Sequence, residues 1–97
     1  MTTDWSDPEL RALREAFIAT LPGRADRIRE AWRRGDAETF GGELHKLAGA
    51  AGSYGLDQLS ALACALEDRL DGGTSPAELG TELEAVLQAI AELPSEG

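Results

Sequence analysis

The sequence predicts an all-α protein, an antiparallel up-and-down four-helix bundle with an additional short N-terminal helix. Apolar residues recur at three- and four-residue spacing in every segment between turn signals, and no strand-like alternation of useful length appears. The links between these segments are short, which favours antiparallel neighbours. The chain has 97 residues, 42% of them hydrophobic and 28% charged. That is ordinary globular composition, and it predicts one domain over 1–97 with one modest core and no internal repeat.

The first element is "SDPELRALREAFIATL". Ser6 or Asp7 serves as cap and Pro8 sits in the first turn, with Leu10, Leu13, Phe17 and Leu21 on one stripe. Pro22 and Gly23 are expected to interrupt or kink it. A second helix follows, with Ala25, Ile28 and Trp32 inside and Arg24, Arg27, Arg29, Arg33 and Arg34 outside, ending at "RRGD". Those arginines either balance local carboxylates or steer the chain toward acidic partners. Asp36 can cap a third helix over about 37–53, with Gly55 suited to its stop. Asp57 can cap a fourth, in which Leu59, Leu62, Leu66 and Leu70 repeat. After the loop "DGGTSP", Ser75, Pro76 and Glu78 form a capping-box start, and Leu79, Leu83, Val86, Leu87 and Ile90 give the cleanest stripe. Residues 94–97 are expected to be a frayed tail.

Composition excludes several functions. A net charge of −9 argues against nucleic acid and anionic membrane as partners. No run of apolar residues is long enough to span a bilayer, and "MTTDWSDPEL" is unlike an export signal, so a soluble cytoplasmic protein is expected. One cysteine and one histidine cannot build a disulfide or a zinc site of ordinary spacing, and no metal site is expected. Cys64, within "LSALACALE", reads as a small buried hydrophobe rather than a reactive thiol. Charge is uneven: residues 1–46 hold eight Lys and Arg against nine acids, and residues 47–97 hold only Arg69 against nine.

The segment "GGELHKLAGAAGSYG" has five glycines and the chain's one histidine in what is otherwise a helix. Each interior glycine costs a helix about 1 kcal/mol relative to alanine, so their concentration needs a cause. At about 100° per residue, Gly41, Gly42, Ala48, Gly49 and Gly52 all fall within about 60° of His45. Phe40, Leu44, Leu47, Ala51 and Tyr54 fall on the opposite side. The glycines therefore clear a low, exposed patch around one imidazole, where another macromolecule's backbone can approach. The plain alternatives are a solvated surface histidine or a loop, and a loop leaves the Phe40-to-Tyr54 periodicity without a cause.

A convex helical patch lacks the cleft and the orienting partners of acid–base or triad enzymes. It suits histidine as nucleophile and carrier, which accepts a group and passes it on. Phosphoryl transfer fits this role, because positioning and charge stabilisation can come from the partner.

"HKLAGAAGSYGLDQLSALACALE" resembles the histidine phosphotransfer (HPt) domain family, whose signature is similar to H-x-L-(K/A)-G-(A/S)-(A/S)-x-x-x-G followed by a leucine-rich helix ending in L-E. His45, Leu47, Gly49, Gly55, Leu59, Leu66 and Glu67 match those positions, and Pro22, Gly35 and Asp36 extend the likeness over about 13–70. The resemblance implies a four-helix bundle with an added N-terminal helix and His45 as the phosphorylated residue. It implies a phosphotransfer intermediate in a two-component phosphorelay, without autonomous catalysis. The implied partners are receiver domains of response regulators or hybrid histidine kinases, and Mg²⁺ is supplied by the receiver rather than bound by this chain. A monomer is expected.

Many members carry Lys three residues after the histidine, and Ala48 stands there in this chain. Lys46 is the nearest substitute in sequence, and its side chain either reaches phosphate oxygens or decorates the rim. Ser53 either donates a hydrogen bond to the phosphoryl group or is simply solvated. Two rival functions share the exposed histidine. One is the dimerisation domain of a histidine kinase, whose helices usually follow the histidine with an acid where Lys46 stands here. The other is a helical adaptor that binds through the glycine-rich face without phosphate chemistry.

Overall fold

The structure, a computed structural model, describes residues 5–93, so the tail expected over 94–97 lies outside the described residues. The chain forms α1 (Pro8–Arg34), α2 (Ala37–Ser53), α3 (Asp57–Asp71), a single 3₁₀ segment (Pro76–Leu79) and α4 (Gly80–Ala91). No strand occurs among the described residues.

The separate short N-terminal helix is a misreading of the sequence. Residues 8–34 are one continuous helix of 27 residues with Pro22 inside it. An interior proline costs a helix about 3 kcal/mol. Yet Phe17, Ile18 and Leu21 are all buried within five residues of it, and each such burial contributes about 1.5–3 kcal/mol. Continuity keeps these three and Ala25, Ile28 and Ala31 on one buried face, which outweighs the proline. At about 1.5 Å per residue α1 spans about 40 Å, and it sets the 41 Å long dimension of the fold.

Local signals explain most boundaries. Asp7 Oδ1 accepts from the Glu9 amide at 2.9 Å and opens α1. Asp36 Oδ1 accepts from the Thr39 amide at 3.1 Å and opens α2. Hydrogen bonding from Thr39 holds the Asp36 carboxyl below its usual range, with Arg34 contributing. Gly35 at φ 66° and Gly55 at φ 74° supply the left-handed turns that end α1 and α2. Asp57 is not the cap of α3; Leu56 takes that position, with no side-chain cap bond. Ser75 Oγ meets Glu78 Oε2 at 3.3 Å but caps no backbone amide, and the helix opens through the 3₁₀ turn instead.

Side-chain contacts tie each helix to the next. Along α1 and α2, Arg14 Nε donates to the Tyr54 carbonyl at 2.8 Å, and further on Arg27 meets Glu43. Along α2 and α3, His45 meets Glu67, and Ser60 Oγ donates to the Ala48 carbonyl at 2.8 Å. Arg69 and Glu82 join α3 to α4 at 2.8 Å. Trp32 closes α1 onto the 3₁₀ turn, its Nε1 donating to the Pro76 carbonyl at 2.6 Å.

The core follows most of the predicted stripes. Phe40, Leu44, Leu47 and Ala51 of α2 are fully buried with Leu59, Ala63 and Leu66 of α3 and Leu79, Leu83 and Val86 around α4. Leu13 is 55% exposed, because the first turns of α1 run past the end of α2, where Arg14 already meets Tyr54. Cys64 is also exposed: α3 turns the neighbouring Ala63 inward and leaves the thiol outside. Trp5 folds back over the α2–α3 turn, 6.3 Å from the Tyr54 ring centroid and under the Arg14 guanidinium. A Cβ at Gly55 would stand 2.5 Å from Trp5 Nε1, so the turn is closed to side chains on steric as well as conformational grounds.

Candidate functional site

His45 lies near the middle of α2 between Leu44 and Leu47, which are both fully buried. Helical geometry then turns the imidazole outward, with 78% of the side chain exposed. The packing of one face thus dictates the presentation of the other.

One partner orients the ring. His45 Nδ1 lies 3.0 Å from Glu67 Oε2, and the Glu67 side chain is only 19% exposed. An ionised carboxylate is an acceptor only, so Nδ1 carries the proton and donates. In the neutral ring this leaves the lone pair on Nε2, directed at solvent. With Glu67 as acceptor at Nδ1, the other ring nitrogen, Nε2, is the one left without a partner among the described residues.

Glu67 was visible in the sequence only as part of the "L-E" ending of the matched signature. It is seated by the α2–α3 register, which small residues permit. A Cβ at Gly41 would press Leu70 Cδ2 at 3.0 Å, and one at Gly52 would press Ser60 Oγ at 3.3 Å. With Ser60 anchored on the Ala48 carbonyl, these positions draw α3 close enough for Glu67 to reach the imidazole.

The five small residues around His45 therefore have different surroundings. Gly41 and Gly52 lie against α3, and Ala48 is half-buried against the core. At Gly42 and Gly49 an added Cβ would meet nothing within 4 Å, and both are exposed. The open ground around the imidazole is found at these two.

Lys46 points toward α1. Its Nζ is 3.6 Å from Glu43 Oε2, while Arg27 holds Oε1 of the same carboxylate at 3.4 Å. The lysine is 67% exposed, so this contact is a weak surface pairing. The Ser53 hydroxyl donates to the Gly49 carbonyl one turn back at 3.1 Å. Among the outer arginines of α1, Arg29 meets Asp26, Arg33 meets Glu30 and Arg34 meets Asp36, while Arg24 reaches Thr20 and lies over the Phe17 ring.

Among the described residues no three His, Cys, Asp or Glu side chains gather as a metal site, and no helix is long and apolar enough to cross a membrane.

The family model described as Hpt domain matches residues 12–93. Comparison with curated proteins and with solved structures gave no match.

Proposed function

The chain belongs to the Hpt domain family, and on that premise we propose that it is a phosphocarrier whose His45 takes a phosphoryl group from a receiver-domain aspartate and hands it to another receiver. Hpt domains act in histidine phosphotransfer of two-component signalling, with receiver and kinase domains as partners, and are not classical enzymes. The carrying observation is the exposed imidazole whose Nδ1 is held by Glu67, since it directs Nε2 outward as a nucleophile.

In the proposed step, Nε2 attacks the phosphorus of the aspartyl phosphate. The P–O bond to the aspartate breaks, its electron pair returns to the carboxylate, and an Nε2–P bond forms. Nδ1 keeps its proton, so the ring gains positive charge during attack, and the Glu67 carboxylate offsets it. The same positive ring leaves readily when the next receiver attacks. Mg²⁺ belongs to the receiver in this scheme.

Lys46 is the residue of this chain that we assign to supporting the phosphoryl oxygens, because its hold on Glu43 is weak and Arg27 keeps that carboxylate paired when Lys46 leaves. Ser53, the other candidate from the sequence, would have to give up its bond to Gly49 to contribute. Gly42 and Gly49 are the open ground for docking. The crossed pairing of α1 with α2 and of α2 with α3 supports an antiparallel up-and-down bundle. The reading further takes the chain to act as a cytoplasmic monomer.

Incubating the chain with a receiver charged by acetyl phosphate tests the proposal. Acid-labile, base-stable label on the chain is the expected result, and a chain that stays unlabelled with every receiver offered contradicts it. Glu67→Ala should slow the transfer by about 10–100-fold, the size of loss seen when the group orienting a metal-ligating histidine is removed. Glu67→Gln should lose less, because the amide oxygen still accepts from Nδ1–H. Stopped-flow transfer rates check both, and equal rates in wild type and Glu67→Ala would remove Glu67 from the mechanism.

A further inference from the structure

An open groove of about 720 Å³ begins at His45 and runs along the first two turns of α2 to the link between α3 and α4. Backbone at Gly41 and Gly42 forms part of its wall, and Ala37, Leu70 and Pro76 line it with apolar surface. Its charged lining residues besides His45 are Glu38, Glu67 and Asp71, and no Lys or Arg lines it. Glu67 is engaged by His45, whereas Glu38 and Asp71 have no ion-pair partner among the described residues. Lys46 lies outside the groove, on the side of α1.

This lining conflicts with the proposed cargo. A protein-bound phosphoryl group carries a charge of about −1.5 to −2 at pH 7, and here it arrives beside a groove whose lining holds three carboxylates and no Lys or Arg. Lys46 stands on the α1 side of His45, so a cation on the groove side has to come with the partner. The groove shape fits one kind of cation, because its apolar lining suits an aliphatic stem and its two unpaired carboxylates suit a charged head.

We propose that this groove is the specificity pocket for the receiver, and that it seats a lysine or arginine side chain of the receiver between Glu38 and Asp71. The inference rests on the phosphotransfer reading above and names the partner chemistry at the same site. Seating the side chain neutralises the acidic groove as the phosphoryl group approaches, and it fixes the rotation of the receiver about His45. Gly42 keeps the groove open at its His45 end.

The test uses the full chain and a receiver that labels it. In Glu38→Gln/Asp71→Asn the receiver concentration giving half-maximal transfer should rise about tenfold, the low end of what close interfacial charge pairs contribute. The rate at saturating receiver should stay at the wild-type value, and the salt dependence should flatten. Gly42→Gln, which fills the groove without changing charge, should raise the same concentration. Replacing receiver Lys and Arg residues by Ala one at a time should reveal one whose loss has no further effect in the double variant. An unchanged concentration dependence in a folded double variant overturns the inference, as does coupling to Mg²⁺ concentration in place of any receiver cation. A wild-type chain that no receiver labels would instead overturn the phosphotransfer reading, so the two failures are distinguishable.

Discussion

His45→Gln is expected to abolish receiver-dependent labelling while leaving the fold intact. The side chain is 78% exposed, and its one described polar contact is with Glu67 on α3. Substitutions at such surface positions usually change stability by no more than about 0.5 kcal/mol. The glutamine amide can still donate to Glu67, so no carboxylate is stranded. What disappears is the lone pair that attacks phosphorus, and no other histidine exists in the chain to replace it. Denaturant midpoints of the two proteins should coincide, and the label on the variant should not rise above a control without receiver. Wild-type labelling of the variant would place the phosphoryl group elsewhere, and the exposed Cys64 and the hydroxyl residues would then have to be examined.

Gly49→Gln should separate stability from transfer. The position is exposed, and a side chain there meets nothing within 4 Å, so glutamine gains helix propensity without a steric penalty. The gain is up to about 1 kcal/mol, read as a higher denaturant midpoint. The new side chain stands one turn from His45 on its open side, in the path of an approaching receiver. Reacting atoms need to come within about 3–3.5 Å, and displacement by about 1 Å can cost on the order of 100-fold in rate. Transfer is therefore expected to fall steeply as stability rises, with Gly49→Ala showing the same stability trend and a smaller loss. Undiminished transfer in a folded Gly49→Gln protein would mean that this face is not where the receiver docks. The neighbouring case differs: a Cβ at Gly41 presses on Leu70, so Gly41 substitutions should disturb the α2–α3 contact itself.

How much of this was readable beforehand depended on whether the signal was local. Helix existence followed from periodicity, and the Asp36 cap and the Gly55 stop followed from side-chain and backbone chemistry within one turn. Pro22 misled because its local cost is plain in the sequence, whereas the compensating burial of Phe17, Ile18 and Leu21 against other helices is not. Leu13 fits an apolar stripe by spacing and Cys64 lies within the apolar run "LSALACALE", but the overhang of α1 and the rotation of α3 decide what covers them. The outward direction of His45 was legible because Phe40, Leu44, Leu47 and Ala51 define the opposite face. Its partner Glu67 lies 22 residues away, and only the α2–α3 register brings it within reach. The five small residues looked alike on a helical wheel, which shows angle but not neighbours, and so it could not distinguish Gly41 and Gly52 against α3 from Gly42 and Gly49 in the open.

Phosphorus NMR on the chain after labelling by a charged receiver identifies the phosphorylated atom as well as the residue. With Glu67 holding Nδ1–H, a single phosphoramidate is expected on Nε2 of His45, lost when an uncharged receiver is added. Phosphorus on Nδ1, or on a hydroxyl, carboxylate or thiol, would contradict that assignment.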